Sequence, residues 1–149
     1  MEVTRTRALR GPNLWSRHLA IEAIVHCNEA ERSLSTLPGF EDRVRALFPA
    51  IGVLHTAGSD QPVSLAHVLQ AAALALQAQA GCPVTFARTT PTVEPGVYQV
   101  VVEYSEEAVG RQAFDDAQRL VQAALSGGSF DAEATIAQLR ELDEDDRRG

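Results

Sequence analysis

The chain has 149 residues, of which 45% are apolar, and a formal net charge of −7; this is the size and composition of one globular domain able to bury a core. All 13 basic residues are arginine, set against 20 acids. The acidic excess lies after residue 105, so no basic surface is offered to a phosphate backbone and nucleic-acid binding is not expected. No apolar run reaches the roughly 18 residues of a membrane span, and "MEVTRTRALRGPN" carries charges where a secretory signal needs an apolar stretch; a cytoplasmic protein is expected, with no membrane partner.

In chain order, "EVTRTRALRG" contains Val3, Thr4 and Thr6, which favour extended structure, and Gly11-Pro12 end it, predicting a first strand. In the next segment Leu19, Ile21, Ala23, Val25 and Cys27 recur at every second residue and predict a second strand with one apolar face. Phe40, Val44, Leu47, Phe48 and Ile51 share one helical face, so a short helix ending near Pro49 is expected. A loop follows through "HTAGSDQP". Ser64 then caps a long helix that Gly81 closes.

"VTFARTTPTVEPGVYQVVVEY" is rich in β-branched and aromatic residues and is broken at Pro91 and at Pro95-Gly96, which predicts two strands joined by a loop. Tyr98, Val100, Val102 and Tyr104 fall on one face of the second. Ser105 is expected to cap the next helix, whose apolar stripe is Val109, Ala113, Ala117, Leu120, Val121 and Ala124, with Gly127-Gly128 as its stop. A last helix begins near Asp131 and buries Ala132, Ile136 and Leu139. The closing "ELDEDDRRG" reads as too charged to pack, so residues 1–142 are taken as the domain and 143–149 as a charged tail or the start of a linker. The order ββααββαα predicts an α+β fold: an antiparallel four-stranded sheet with helices packed on one face. No internal sequence repeat accompanies this doubled order.

Cys27 and Cys82 have no C-x-x-C spacing and are expected to be reduced thiols in or near the core. No stretch fits G-x-x-x-x-G-K-[ST], G-x-G-x-x-G or G-x-S-x-G. His18, His26 and His55 show no ligand spacing. On the long helix, Leu65, Leu69, Ala72, Ala73, Leu76 and Ala80 form the core stripe, while His67, Gln70, Ala71 and Leu74 fall on a neighbouring face. A helical zinc site of the H-x-x-E-H type needs two imidazoles one turn apart and a carboxylate that takes a proton from bound water. Here the window reads H-V-L-Q-A. Ala71 cannot ligate and the Gln70 amide cannot act as the base, so His67 alone cannot hold a catalytic metal and is expected to be a half-buried, hydrogen-bonded histidine.

The segments "LRGPNLWS", "LPGFEDRVRALFP", "LQAQAGCPVTFARTT", "PGVYQVVVEYSEEAVGR" and "AQLRELDED", taken in that order, resemble the N-terminal domain of cyanophycin synthetase over nearly the whole chain. The resemblance implies a domain that docks the growing arginine/aspartate polymer, cyanophycin, for ATP-grasp and Mur-ligase-like domains that are not in this chain. It also implies a fold like half of an H-x-x-E-H metallopeptidase unit, since some members cut the polymer to make primers. His67, Gln70 and Ala71 match that motif's three positions and depart from it at two, so a non-catalytic domain without a metal or other cofactor is expected.

A polymer bearing guanidinium groups and free α-carboxylates calls for acids and arginines on its docking surface. Within the resembling segments, Arg10, Asn13, Trp15, Arg88 and Glu94 are the polymer-binding candidates, with Trp15 able to stack on a guanidinium. Two other roles follow from the same resemblance. One is a module that assembles synthetase subunits as a homo-oligomer, and the other is a peptidase with an unusual site.

Overall fold

The computed structural model describes residues 1–10, 19–52, 54 and 62–148. The strands are β1 (Glu2–Leu9), β2 (Ala20–His26), β3 (Ala87–Pro91) and β4 (Val97–Glu103); the helices are α1 (Phe40–Leu47), α2 (Leu65–Gln79), α3 (Glu107–Ser126) and α4 (Ala132–Arg148). Their order is the expected ββααββαα. The four strands form one open sheet in the order β1-β2-β4-β3, with every neighbouring pair antiparallel.

The register sorts the sheet into two faces. Ile21, Ala23 and Val25 of β2 and Tyr98, Val100 and Val102 of β4 point inward, and α2 and α3 pack over them. Phe40, Phe48 and Phe114 are fully buried there, together with Leu65, Leu69, Leu76 and Leu120. Each such side chain stabilises the fold by about 1.5–3 kcal/mol through burial. α1 packs on α3, and α4 packs on both α3 and α2.

α2 is apolar almost all round, with Ala66, Val68 and Gln77 buried in addition to the expected stripe, as suits a helix enclosed on several sides. Cys27 and Cys82 are buried, unpaired thiols, and burial pushes both thiol pKa values up.

Two breaks fall where they are expected, near Pro49 and at Pro91, and two other local expectations are corrected. α1 stops at Leu47, and the chain tightens into a single 3-10 turn, Pro49–Ile51, because a proline cannot continue the helix; Ile51 still reaches the core. β3 ends at Pro91 and β4 begins after Pro95-Gly96, as the breaks predict; the proline is tolerated because β3 is an edge strand.

Ser105 does not cap α3. The N-cap is Glu106, without a side-chain cap bond, while Tyr104 packs against Gly110 and the Ser105 hydroxyl turns inward beside Cys82. Finally, the charged run "ELDEDDRR" continues α4 and packs through two of its residues. α4 runs to Arg148, Leu142 rests against the core and Asp143 is buried, because Leu139, Leu142 and Asp143 share the inward stripe while the other charges face water.

Candidate functional site

The outer face of the sheet is charged, and a bulge makes it so. Strict alternation along β1 would put Val3, Arg5 and Arg7 on one side. The register shift at Thr4 sets Val3 opposite Val25 on the inner face and turns Arg5 and Arg7 outward, opposite Ile24 and Glu22. Across the outer face, Arg7, Glu22, Val101 and Arg88 then occupy one row, and Arg5, Ile24, Gln99 and Thr90 the next. At about 4.8 Å per strand, Arg7 and Arg88 stand roughly 14 Å apart.

Glu22 organises the first row. Its carboxylate is almost wholly buried and accepts from Arg7 Nε at 2.7 Å and from Gln99 Nε2 at 2.8 Å. Arg7 remains well exposed, so one end of this chain of contacts is fixed and the other faces solvent. Glu103, also buried, serves the scaffold: its Oε1 accepts from the backbone N–H groups of Thr85 and Phe86 at 2.7 and 3.1 Å and so holds the entry to β3. Neither residue was singled out from the sequence. A lone acid inside the apolar run "AIEAIVH" was the available signal for Glu22, since an unpaired charge is not buried in a central strand.

The sequence candidates are not brought together. Arg88 lies in the outer face beside Val101. Arg10, just past β1, lies at one end of the sheet, where its Nη2 is 2.7 Å from Glu107 Oε1. Glu94 is exposed in the β3–β4 turn at the other end, where the backbone N–H donates to Thr92 Oγ1. The seven residues of β4 separate those ends, a span of about 20 Å. Asn13 and Trp15 lie outside the described residues, as do His18 and His55. Bonds from Arg111 and Arg10 hold the Glu107 carboxyl below the usual carboxylate range, and Glu107 in turn raises the Arg10 guanidinium.

His67 has a local occupation. It is the third residue of α2, and its Nδ1 accepts from the Ser64 backbone N–H at 3.1 Å and lies 2.9 Å from Ser64 Oγ. The His67 N–H donates back to that hydroxyl at 3.4 Å. This is a capping box with histidine in the place usually held by Glu or Gln. An accepting Nδ1 puts the ring proton on Nε2. The ring also meets Tyr98 edge-on at 5.9 Å, and burial lowers its pKa.

Gln70 Oε1 accepts from Thr89 Oγ1 at 2.7 Å, tying α2 to β3, and Ala71 offers only a methyl group. These three side chains do not fit a metal ion: the imidazole is committed through Nδ1, the amide is committed to Thr89, and the third position has no donor. Among the described residues, no group of three or more His, Cys, Asp or Glu is placed to hold one.

The cyanophycin synthase-like N-terminal domain matches residues 22–126. The chain belongs to this family. It is 32% identical to the cyanophycin synthetase of Geminocystis herdmanii, 35% to that of Trichormus variabilis and 31% to that of Crocosphaera subtropica. Those alignments cover 95–97% of this chain and 17–18% of the relatives, so the chain spans less than a fifth of the length of the synthetases it matches. No helix among the described residues is long and apolar enough to cross a membrane.

Proposed function

We propose that this domain is a non-catalytic docking module that holds cyanophycin on the outer face of its sheet for ATP-grasp and Mur-ligase-like domains. The observation that carries this reading is the set of charges on that face: Arg5, Arg7 and Arg88 place guanidinium groups along it, Arg7 already bonded to Glu22, with the Glu22–Gln99 pair fixed between the last two. A polymer that repeats guanidinium and carboxylate groups meets complementary partners along such a surface. Each exposed contact is worth little, so affinity comes from several repeats engaged together and falls with salt.

The His67 region supports the absence of peptidase chemistry. Its motif positions are taken up by a helix cap and a helix–strand hydrogen bond. The assembly role through a sheet edge is disfavoured by the edges themselves, since β1 carries outward arginines and a bulge and β3 ends in proline.

The test is calorimetric titration of the purified domain with short soluble aspartate–arginine oligomers at low and high salt, with zinc content and oligomer cleavage assayed on the same sample. Salt-weakened binding without cleavage is expected. Failure to bind at low salt would overturn the docking role, and cleavage would overturn the reading of Gln70 and Ala71.

A further inference from the structure

At the Arg10 end of the sheet, where it meets the first turns of α3, the chain already holds a carboxylate between two guanidinium groups. Arg10 Nη2 and Nε lie 2.7 and 2.9 Å from Glu107 Oε1, and Arg111 Nε lies 2.9 Å from Glu107 Oε2. Both oxygens of one acid are thus engaged by arginines from two separate parts of the chain, the end of β1 and the second turn of α3. All three side chains are open to solvent, with relative exposures of 72% for Arg10, 44% for Arg111 and 29% for Glu107. Exposed pairs of this kind add little to stability. The arrangement therefore contributes little to holding the fold, and its occupant is cheap to replace.

We propose that Arg10 and Arg111 form a carboxylate clamp and that Glu107 is its internal occupant, displaced when a carboxylate of the docked polymer enters. The inference rests on the docking reading and adds a regulated contact beside that surface, where the end of the sheet meets α3. Exchange of one carboxylate for another leaves the charge of the clamp unchanged and buries no new ion. The released Glu107 returns to water at little cost because it is partly solvated in the clamp. A polymer engaged on the outer face presents its carboxylates at high local concentration and competes on those terms. Glu107 then acts as a brake on affinity, discriminating against short ligands that cannot engage a second point.

Glu107→Gln removes the occupant and leaves both arginines. The test compares the wild-type domain, Glu107→Gln, Arg10→Ala/Glu107→Gln and, as a charge-matched control on another helix, Glu41→Gln. Each is titrated at low salt with an aspartate–arginine oligomer bearing free α-carboxylates and with the same oligomer amidated at those groups. Glu107→Gln is expected to bind the free-carboxylate oligomer about two- to ten-fold tighter, with no gain on the amidated form, none in Glu41→Gln, and loss of the gain when Arg10 is also replaced. If the wild type binds and Glu107→Gln binds no tighter, the clamp is overturned and the docking role stands. An equal gain on the amidated oligomer, or in Glu41→Gln, also overturns it, because a general change of field would then account for the effect. If none of the proteins binds, both readings fall.

Discussion

The two faces of β2 and β4 are built from the same strands and have opposite chemistry. Inward, Ile21, Ala23, Val25, Val100 and Val102 have no polar atom beyond the backbone and are sealed under α2 and α3. Outward, Glu22, Gln99 and Glu103 sit among Ala20, Ile24 and Val101, and each polar group has a named partner. The inner face fixes the fold through area removed from water, which tolerates no charge. The outer face buries Ala20, Val101, Glu22 and Glu103 as well, but with its acids hydrogen-bonded, and Arg7 at its margin reaches into solvent. If the outer face is the docking surface proposed above, substitutions on the two sides of the sheet should separate stability from ligand recognition.

The largest effect is expected inside. Phe114→Ala empties a fully buried position and should cost about 3–5 kcal/mol in denaturant unfolding, with oligomer affinity of the remaining folded protein unchanged. A change in affinity at equal folded fraction would show that the two faces are coupled.

Gly110→Ala comes next and has a less obvious sign. Alanine is the better helix former by about 1 kcal/mol, yet a Cβ at this position would stand 2.5 Å from Tyr104 Cβ. Crowding of this kind typically costs about 1–3 kcal/mol. A net loss in melting temperature is expected, and a gain would mean that Tyr104 is free to move and does not fix the β4–α3 junction.

A smaller effect distinguishes a structural His67 from a chemical one. Burial holds the imidazole below its ordinary value, near 6.5 in the unfolded chain. The folded state therefore binds fewer protons than the unfolded state between the two values. The stability is fully present above about pH 6.5 and is lost as pH falls toward the folded value. His67→Gln keeps a side chain suited to the capping box and removes the titration. Relative to this variant, the wild type should lose stability between pH 7 and pH 5. Parallel curves would show that burial does not hold the imidazole below its ordinary value.

Most of the fold was legible because periodicity reports burial directly: the two-residue repeat from Ile21 to Cys27 and the helical stripe from Val109 to Ala124 both lie where the pattern put them, while Leu19, just before β2, is exposed. What escaped depended on long-range partners. Nothing local marks Thr4 as a bulge, since the shift arises from pairing with β2, and that shift decides that Arg5 and Arg7 face away from Val3. Glu22 becomes intelligible only when Arg7 and Gln99, distant in sequence, arrive beside it.

The acids of α4 misled for a related reason. Composition averages over a helix, whereas Asp143 alone occupies the inward stripe, with Arg147 3.3 Å away one turn on. At the candidate site, Arg88 was found on the outer face, while Arg10 and Glu94 proved to lie at opposite ends of the sheet, a separation that sequence spacing does not encode.

The smallest expected change in stability accompanies the most informative change in binding. Arg5→Gln/Arg88→Gln removes two outward guanidiniums and leaves the Arg7–Glu22 pair intact, and the loss of the exposed Arg5 side chain should shift unfolding by no more than about 0.5 kcal/mol. The direct test of the outer face as the docking surface is calorimetry of this variant beside the wild type, with the same aspartate–arginine oligomers at low and high salt. The account predicts weaker binding at low salt and a shallower salt dependence. Affinity and salt dependence equal to those of the wild type would contradict it.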